Sequence, residues 1–534
     1  MPDSSQRQIS APVSPWRPLR IALFRNLLIA DLVSGIGTFM QSMGAAWLMT
    51  SLTNRPVYIA LIQTASAVPF FLLALPAGSI GDIFDRRKLI LCTEIWMCGI
   101  TAVLTVFTFT GTMTPWLLLL LTLAISLGDA VEAPTWRAIF PDLVKAEDLS
   151  PALTLNGIEF NLARAVGPGL AGLIVAAFGV ATTFLLDALS FLGVIFVIFT
   201  WKREPRKSNL PAETLSEASW AAIRYVRYSP GIRVLLVRSG TVILFASSFW
   251  ALLPTVAKEL SRSALGYGFL LGFFGVGAVL GAVVLQRAKA KLSIETILSI
   301  STIIFGAILW STATLHNLVL LCALMLFGGA SWTVFMSLFN TMIQSLAPDW
   351  IRARVMAAYL FVFQGSVAIG STLWGFFAEH NSVRAALLVS AAGIGASLLL
   401  QFPLRLPSTS MNLKASNHWG DPRKFAVHEA GLGPVLVTVK YVIDPAKGRD
   451  FLDEIYRYQR IRRRDGATRW GIFYDTEFPN VYLETFLVDS WAEHQRQHER
   501  FTVADQEIEK RVLSYALEPT TVKHYIHAKR SSLS

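Results

Sequence analysis

Between Ile21 and Pro403 the chain alternates long apolar stretches with short polar connections. Most stretches are roughly 20 residues or longer, enough to cross a hydrocarbon core of about 30 Å as a helix. The pattern predicts twelve membrane-spanning helices, at residues 21–50, 57–80, 89–110, 115–136, 153–178, 180–200, 233–257, 264–286, 293–315, 317–345, 355–378 and 383–404. We therefore expect an all-α polytopic membrane protein over this part of the chain.

The polar connections differ in charge. Every second connection is rich in Arg and Lys, and those between them carry few charges. Because basic residues accumulate on the cytoplasmic side, this predicts a multi-pass protein of the bacterial cytoplasmic (inner) membrane with both termini in the cytoplasm. A longer polar link at 201–232 separates two six-helix halves, 21–200 and 233–404, and its "SEASWAAIRYVRY" segment predicts an amphipathic helix beside anionic lipid.

The two ends of the chain follow other patterns. Residues 1–20 form a polar cytoplasmic segment without the features of a cleaved signal peptide. Residues 405–432 are rich in Ser, Asn and Pro and predict a linker. Residues 433–528 then combine alternating and helical periodicity in the order β-α-β-β-α-β, which predicts a small α+β ferredoxin-like domain in the cytoplasm.

Composition supports this class. The 534 residues are 53% hydrophobic and 16% charged, with a mean hydropathy of +0.49, which excludes an ordinary soluble globular protein. The net charge of +11 is attributed to membrane orientation, so we expect no nucleic-acid partner. Three cysteines without metal-type spacing imply no disulfide framework. Without a phosphate-binding GxxxxGK[ST] loop, we expect no ATP and no other cofactor, and a proton gradient as the energy source.

A charged turn follows the second apolar stretch, in "PAGSIGDIFDRRKLI". With the six-plus-six pattern, it resembles the loop motif of the major facilitator superfamily, although Ile83 and Asp85 depart from the usual Arg and Gly. The matching residues are Gly78, Asp82, Arg86, Arg87 and Lys88. The resemblance implies a gating motif that closes the cytoplasmic side. The alternative is that these charges only set topology.

The fifth span contains "ARAVGPGLAG", with a helix-breaking proline among small residues. It resembles the motif of facilitator antiporters that export drugs, on Gly167, Pro168, Ala171 and Gly172. Small residues allow helix backbones to approach closely, and the glycines of the eighth span offer a partner surface: Gly268, Gly272, Gly277 and Gly281. The alternative is an ordinary small-residue packing face.

Further stretches, including "FRNLLIADLVSGIGTFMQSMGAAWLM", "NGIEFNLARAVGPGLAG" and the tail segment "RDGATRWGIFYD", resemble the bacterial transmembrane secretion effectors. That group is similar to exporters of catecholate siderophores and macrolide efflux pumps. The resemblance implies a secondary active transporter, a proton-coupled antiporter that exports a siderophore, a macrolide-like drug or another hydrophobic metabolite by alternating access.

Burial of an ionisable group inside a membrane span costs free energy, so each such residue is a candidate for a functional role. We predict a proton-coupling site from Asp31, Asp129 and Glu132, with Arg164 forming an ion pair with one of these carboxylates. The alternative is a static ion pair that sets helix packing. The remaining acids are assigned outside this site: Glu94 and Asp187 to structural roles, and Glu159 to the cytoplasmic entrance.

The tail resembles small ferredoxin-like domains that dimerise through their sheets, a group that includes antibiotic-biosynthesis monooxygenases. Homodimerisation is therefore expected, beside a small-molecule substrate and membrane lipid as partners. His494 and His498 lie one helical turn apart, but two ligands are too few for a metal, so a solvated helix face is favoured. We expect a transporter and not an enzyme. The alternatives are a tail that chemically modifies the cargo and a sensor or scaffold that does not transport.

Overall fold

The structure, a computed structural model, describes residues 14–74, 85–201, 215–406, 412–416, 418 and 432–528. Within them, twelve helices are long and apolar enough to span a membrane, which confirms the prediction. The first six are α1 Ala22–Leu52, α2 Pro56–Leu73, α3 Arg86–Phe109, α4 Pro115–Leu143, α5 Leu149–Phe178 and α6 Val180–Thr200. After the short helix α7 Leu215–Tyr228 come α8 Pro230–Ser261, α9 Ala264–Lys289, α10 Ile294–Thr314, α11 Leu318–Leu346, α12 Arg352–His380 and α13 Val383–Ser397.

Local chemistry sets several helix ends. Thr114 caps α4 by accepting a hydrogen bond from the backbone N–H of Leu117 over 3.3 Å, and Pro115 occupies the first helical position, where no backbone donor is needed. Gly179 separates α5 from α6 with φ +85°, a conformation that other residues adopt rarely. The predicted end of α4 at residue 136 is wrong, because a buried apolar face continues through Ile139 to Leu143.

The helices bury small and apolar residues inward and leave large apolar side chains on the outside. Phe196 and Phe199 of α6 are each more than two-thirds exposed, as expected of side chains that contact lipid. One continuous core draws on both halves, for example Met49 of the first half with Phe249 and Trp374 of the second. The two halves therefore pack together through a shared apolar core.

The tail consists of β1 Val435–Val442, α14 Gly448–Asp465, β2 Arg469–Tyr474, β3 Val481–Val488, α15 Trp491–Arg500, α16 Val503–Leu513 and β4 Thr521–Ile526. Its antiparallel sheet has the order β2-β3-β1-β4, so the predicted ferredoxin-like β-α-β-β-α-β pattern is confirmed. The second predicted helix is split in two, because Thr502 and Asp505 form a capping box that starts α16. Residues Val439 and Tyr441 on one sheet face are buried against Phe451 of α14.

The chain forms two compact units, and the second joins the tail to Ala212–Val237 and Asn340–Tyr359. In that unit Tyr225 of α7 is buried and lies edge-on to Trp350, with ring centroids 5.8 Å apart. The predicted helix is confirmed, and protein covers one of its sides. Trp220, 68% exposed, and Ile223 remain on the open side, where lipid contact stays a prediction.

Candidate functional site

A cavity of about 230 Å³ lies among α1, α2, α4 and α12. Hydroxyl and amide side chains supply most of its polar lining: Thr38, Gln41, Ser42, Gln63, Ser66, Ser126 and Gln364. Asp129 contributes a carboxylate to the same wall, while Ile62 and Phe70 are among its apolar residues. A cavity with these groups can bind an organic molecule through several hydrogen bonds and one charge.

Two of the predicted carboxylates have a carboxyl partner that the sequence did not indicate. Asp31 of α1 lies within hydrogen-bonding reach of Glu159 of α5. Asn156, one turn before Glu159, donates from Nδ2 to Asp31 Oδ2 over 3.4 Å and to Glu159 Oε2 over 3.2 Å. A single amide therefore holds the two carboxyl groups together.

The second pair joins α3 to α4. Glu132 lies within hydrogen-bonding reach of Glu94 and accepts a short hydrogen bond from the Thr93 hydroxyl. Both glutamates are buried, with exposed fractions below one-tenth. Glu94 is therefore the carboxyl partner of Glu132, whereas the sequence predicts a structural role for it.

The chemistry of such pairs is specific. An ionised carboxylate only accepts hydrogen bonds, so two carboxyl groups can bond to each other only when one of them carries a proton. Each pair is therefore a place where one proton can be held and given up, and its titration belongs to the pair rather than to either residue. Asp129 lies one helical turn before Glu132, between the cavity and the second pair.

The predicted ion pair of Arg164 is not formed. Arg164 donates from Nη2 to Asn161 Oδ1 over 2.9 Å and lies 5.9 Å from the Phe160 ring centroid, and no described carboxylate is within ion-pair distance of it. Among the predicted partners, Asp31 lies beside Glu159 instead, and Arg164, five residues after Glu159, points about 140° away from it around α5. A role of Arg164 in coupling stays a prediction.

The motif of α5 lies at two close helix contacts. A Cβ on Gly167 would lie 2.6 Å from the Cβ of Phe39 in α1, and a Cβ on Gly172 would lie 2.8 Å from the Cα of Gly268 in α9. Pro168 contributes to the second contact through its carbonyl oxygen. Ala171 is fully buried in the shared core. The other glycines of α9 divide between two neighbours: Gly272 approaches α5, whereas Gly277 and Gly281 pack against α11.

Of the charged turn, Gly78 and Asp82 lie outside the described residues. Arg86 donates to the carbonyl of Ala138 in α4 over 2.8 Å, and Arg87 donates to the carbonyls of Ile198 and Phe199 at the end of α6, over 3.0 and 2.6 Å. Lys88 is exposed. Cations at the last carbonyls of a helix are stabilised by its dipole, so Arg87 joins the start of α3 to the end of α6.

The tail departs from one expectation. His494 is 3% exposed, so a solvated helix face is wrong for this residue. Its ring packs 5.0 Å from that of His498 and 4.7 Å from that of His524. Burial, with these neighbouring imidazoles, lowers the pKa of His494 to about 3. In the described part of the chain no three His, Cys, Asp or Glu side chains are arranged to hold a metal ion.

Sequence reasoning missed the roles of Glu94 and Glu159 as carboxyl partners. Asn156 and Glu159 are three residues apart and so share one helix face, a spacing that could have suggested a common site. Glu94 offered no comparable signal, because its partner lies on another helix.

The chain matches the family model described as transmembrane secretion effector over residues 13–532. Among curated proteins, it is similar to the Staphyloferrin A transporter of Staphylococcus aureus (strain NCTC 8325 / PS 47), 23% identical over 72% of this chain and 96% of the relative. It is also similar to the multidrug efflux pump Tap of Mycolicibacterium fortuitum, 24% identical over 71% and 92%. The enterobactin exporter EntS of Salmonella choleraesuis (strain SC-B67) is 25% identical over 71% and 91%.

Solved structures with the same fold are transporters. A D-xylose-proton symporter aligns with a TM-score of 0.58 at 12% identity, over 72% of this chain and 98% of the other. A bacterial homologue of the human lysosomal transporter Spinster aligns with a TM-score of 0.55 at 12% identity, over 73% and 96%. Three observations support the same family: the twelve spans, the packing of two halves and the family match over almost the whole chain. The chain belongs to the transmembrane secretion effector family of the major facilitator superfamily, and it is a secondary transporter rather than an enzyme.

Proposed function

We propose that the protein is a proton-coupled antiporter that exports a small organic molecule from the cytoplasm by alternating access. The observation that carries the proposal is the presence of two carboxyl pairs, Asp31–Glu159 and Glu94–Glu132, in the half that also lines the cavity. A group that exchanges one proton between two conformations is what coupling to a proton gradient requires.

The geometry supports a cycle in which cargo and proton are coupled. Asp129 faces the cavity and lies one turn from Glu132, so binding of cargo beside Asp129 changes the environment of the second pair. Release of a proton from a pair leaves two charges that repel each other, which favours a different packing of α3 on α4. Cargo and proton thereby favour opposite conformations, as antiport demands.

Contacts at one end of the bundle supply a gate. Arg55 Nε lies 2.6 Å from Glu379 Oε1, and Lys258 donates to the carbonyl of Thr50 and, over 3.2 Å, to Asn54. These contacts join the α1–α2 connection to the ends of α12 and α8. They must break if the cavity is to open at that end.

The lining of the cavity and the names of the relatives support a class of cargo. Relatives of this chain carry names that specify staphyloferrin A, enterobactin or multiple drugs. A wall of hydroxyl and amide groups favours a molecule with many hydrogen-bonding oxygens, so we propose a siderophore ahead of an apolar drug.

The proposed location of the protein is the bacterial cytoplasmic membrane, with both termini in the cytoplasm. The distribution of Arg and Lys along the chain supports this orientation.

The test uses purified full-length protein in proteoliposomes, with enterobactin, staphyloferrin A and a macrolide as probes and a pH-sensitive dye inside. Addition of the transported probe should move protons in the wild type, and Asp129→Asn and Glu132→Gln should abolish that movement. Glu295→Gln is the control, because this carboxyl group lies in the second half, pairs with Arg238 at 2.6 Å and belongs to neither carboxyl pair. Probe movement without any proton signal would refute antiport.

A further inference from the structure

A second cavity, of about 380 Å³, lies within the unit that contains the tail. Four arginines line it: Arg227 at the end of α7, Arg233 in the first turn of α8, and Arg460 and Arg463 on α14. Tyr228 and Gln459 add neutral hydrogen-bonding groups. The cavity is therefore formed by three helices that come from distant parts of the sequence.

Two groups of arginines in this unit differ in their partners. Those turned into the tail are matched by carboxylates: Arg462 with Glu484 at 3.3 Å, Arg464 with Asp505 at 2.7 Å and Arg500 with Glu493 at 2.5 Å. The four that line the cavity have no carboxylate within ion-pair distance among the described residues. In "RIRRR", Arg462 and Arg464 thus have acidic partners, whereas Arg460 and Arg463 face an unneutralised cavity.

One guanidinium group of the cavity, that of Arg463, is held in a fixed orientation. With the amide oxygen of Gln459 facing Arg463, it accepts hydrogen bonds from Nη2 over 3.0 Å and from Nε over 3.3 Å, which orients the guanidinium group. Pro230, at the start of α8, lines the same cavity. The positive end of that helix dipole adds to the arginine charges.

We propose that this cavity is an anion site that takes a phosphate group. Guanidinium groups bind phosphate oxygens through paired hydrogen bonds, and a phosphate has enough oxygens to accept from several of them at once. The phosphate comes from the headgroup of an anionic phospholipid or from a soluble phosphorylated compound. Arg233 belongs to the first turn of a helix that is long and apolar enough to span a membrane, and basic residues beside such a helix attract anionic headgroups, which favours the lipid.

Such a ligand connects the tail to the first turn of α8 through hydrogen bonds and charge. It neutralises four like charges that otherwise repel one another across the contact between α14 and the α7–α8 turn. The inference does not depend on the proposed transport cycle, because anion binding and transport are measured separately.

The test is a thermal unfolding titration of full-length protein in neutral detergent at constant ionic strength. The probes are short-chain phosphatidylglycerol, short-chain phosphatidylcholine, glycerol 3-phosphate and inorganic phosphate. We expect phosphatidylglycerol to raise the melting temperature of the wild type more than phosphatidylcholine. The paired variants R460Q/R463Q and R227Q/R233Q should shift the half-saturating concentration upward by about tenfold or more.

The matched control is Arg457→Gln. Arg457 lies on the same helix but pairs with Glu454 at 2.8 Å and is not part of the cavity, so its loss should leave the titration unchanged. If a paired variant does not fold, Arg460→Gln alone should give a smaller shift in the same direction.

The outcomes separate the two sources. Saturation by glycerol 3-phosphate or inorganic phosphate at the same concentration as by the lipid assigns the site to a soluble anion, and a response to phosphatidylglycerol alone assigns it to the membrane. Either result supports an anion site. A wild type that responds to none of the phosphate probes, or a response that both paired variants retain, overturns it.

Discussion

The two six-helix halves bury polar groups in opposite ways. Within its described spans the first half carries seven carboxyl groups: Asp31, Glu94, Asp129, Glu132, Asp142, Glu159 and Asp187. The second half fills its centre with aromatic rings, where Trp250 lies 5.0 Å from Phe274 and 5.9 Å from Trp332. A buried charge in the described part of this half, Arg238, is paired with Glu295 at 2.6 Å.

A buried carboxyl pair and a buried arginine–carboxylate pair differ in the number of protonation states that they offer. A carboxyl pair can exist with or without its shared proton, so it has two states that a pH gradient can select. An arginine keeps its proton at any physiological pH, so its pair with a carboxylate has one state and only contributes to packing. The proposed coupling function therefore belongs to the first half.

The largest expected effect breaks one carboxyl pair. Glu159→Gln replaces a carboxyl group that can share a proton with an amide that cannot release one, so probe export driven by a pH gradient should fall to the background of empty vesicles. Downhill movement of the same probe without a gradient should persist, since the cavity does not include this residue. Proteoliposome flux measures both, and gradient-driven export at the wild-type rate would contradict the assignment.

The next effect concerns the contact between the halves. In Gly172→Ala the new Cβ would lie 2.8 Å from the Cα of Gly268, closer than atoms tolerate, and overpacking of this kind costs about 1–3 kcal/mol. The melting temperature of the purified protein should fall. Gly169→Ala on the same helix is the matched control, because its Cβ would meet nothing within 4 Å. Equal melting temperatures for the two variants would mean that this contact is not the close approach described.

A smaller effect tests the second half. Arg238→Gln removes the ion pair with Glu295 and a 3.3 Å hydrogen bond to the carbonyl of Leu404. Because the Glu295 side chain is 35% exposed, solvent screens part of the loss, and we expect a destabilisation of about 1–2 kcal/mol. Export per folded molecule should be unchanged. A variant of normal stability that has lost proton coupling would place a coupling residue in the second half.

The smallest effect extends the comparison to the tail, where a buried titratable group is held neutral. The pKa of His494 falls from about 6.5 to about 3 on folding, so the folded tail loses stability as the pH decreases from 6.5 toward 3, because the unfolded chain takes up a proton that the buried ring does not. The loss is at most about 1.4 kcal/mol per pH unit.

Amide hydrogen exchange of α15 in the full-length protein, corrected for intrinsic rates, should therefore show less protection at pH 5 than at pH 7. His494→Gln should reduce this difference. A difference of the same size in that variant would assign the pH dependence to other groups.

Much of the fold could be read from the sequence. Apolar length alone predicts twelve spans, and periodicity predicts the order of strands and helices in the tail. Errors occurred where local patterns compete with packing. The apolar pattern ends α4 too early, because buried residues beyond Trp136 continue the helix. The pattern after Trp491 predicts one helix, whereas the capping box at Thr502 starts a second one.

The candidate site was only half predictable. Asp31 and Glu132 were chosen because charges inside a span are costly, which is a property of each residue and its position along the chain. Their partners Glu159 and Glu94 lie on other helices, so a single segment does not reveal them. The close contact of Gly172 with Gly268 likewise joins two helices.

The sequence by itself therefore determined which segments enter the membrane and which residues are expensive to bury there, because both depend on local composition. The tertiary structure alone decided which of these residues meet. It paired carboxyl groups with each other rather than with Arg164, it buried His494, and it brought four arginines from three helices around one cavity. The reason is that contacts between helices depend on their rotation and depth, which no single segment specifies.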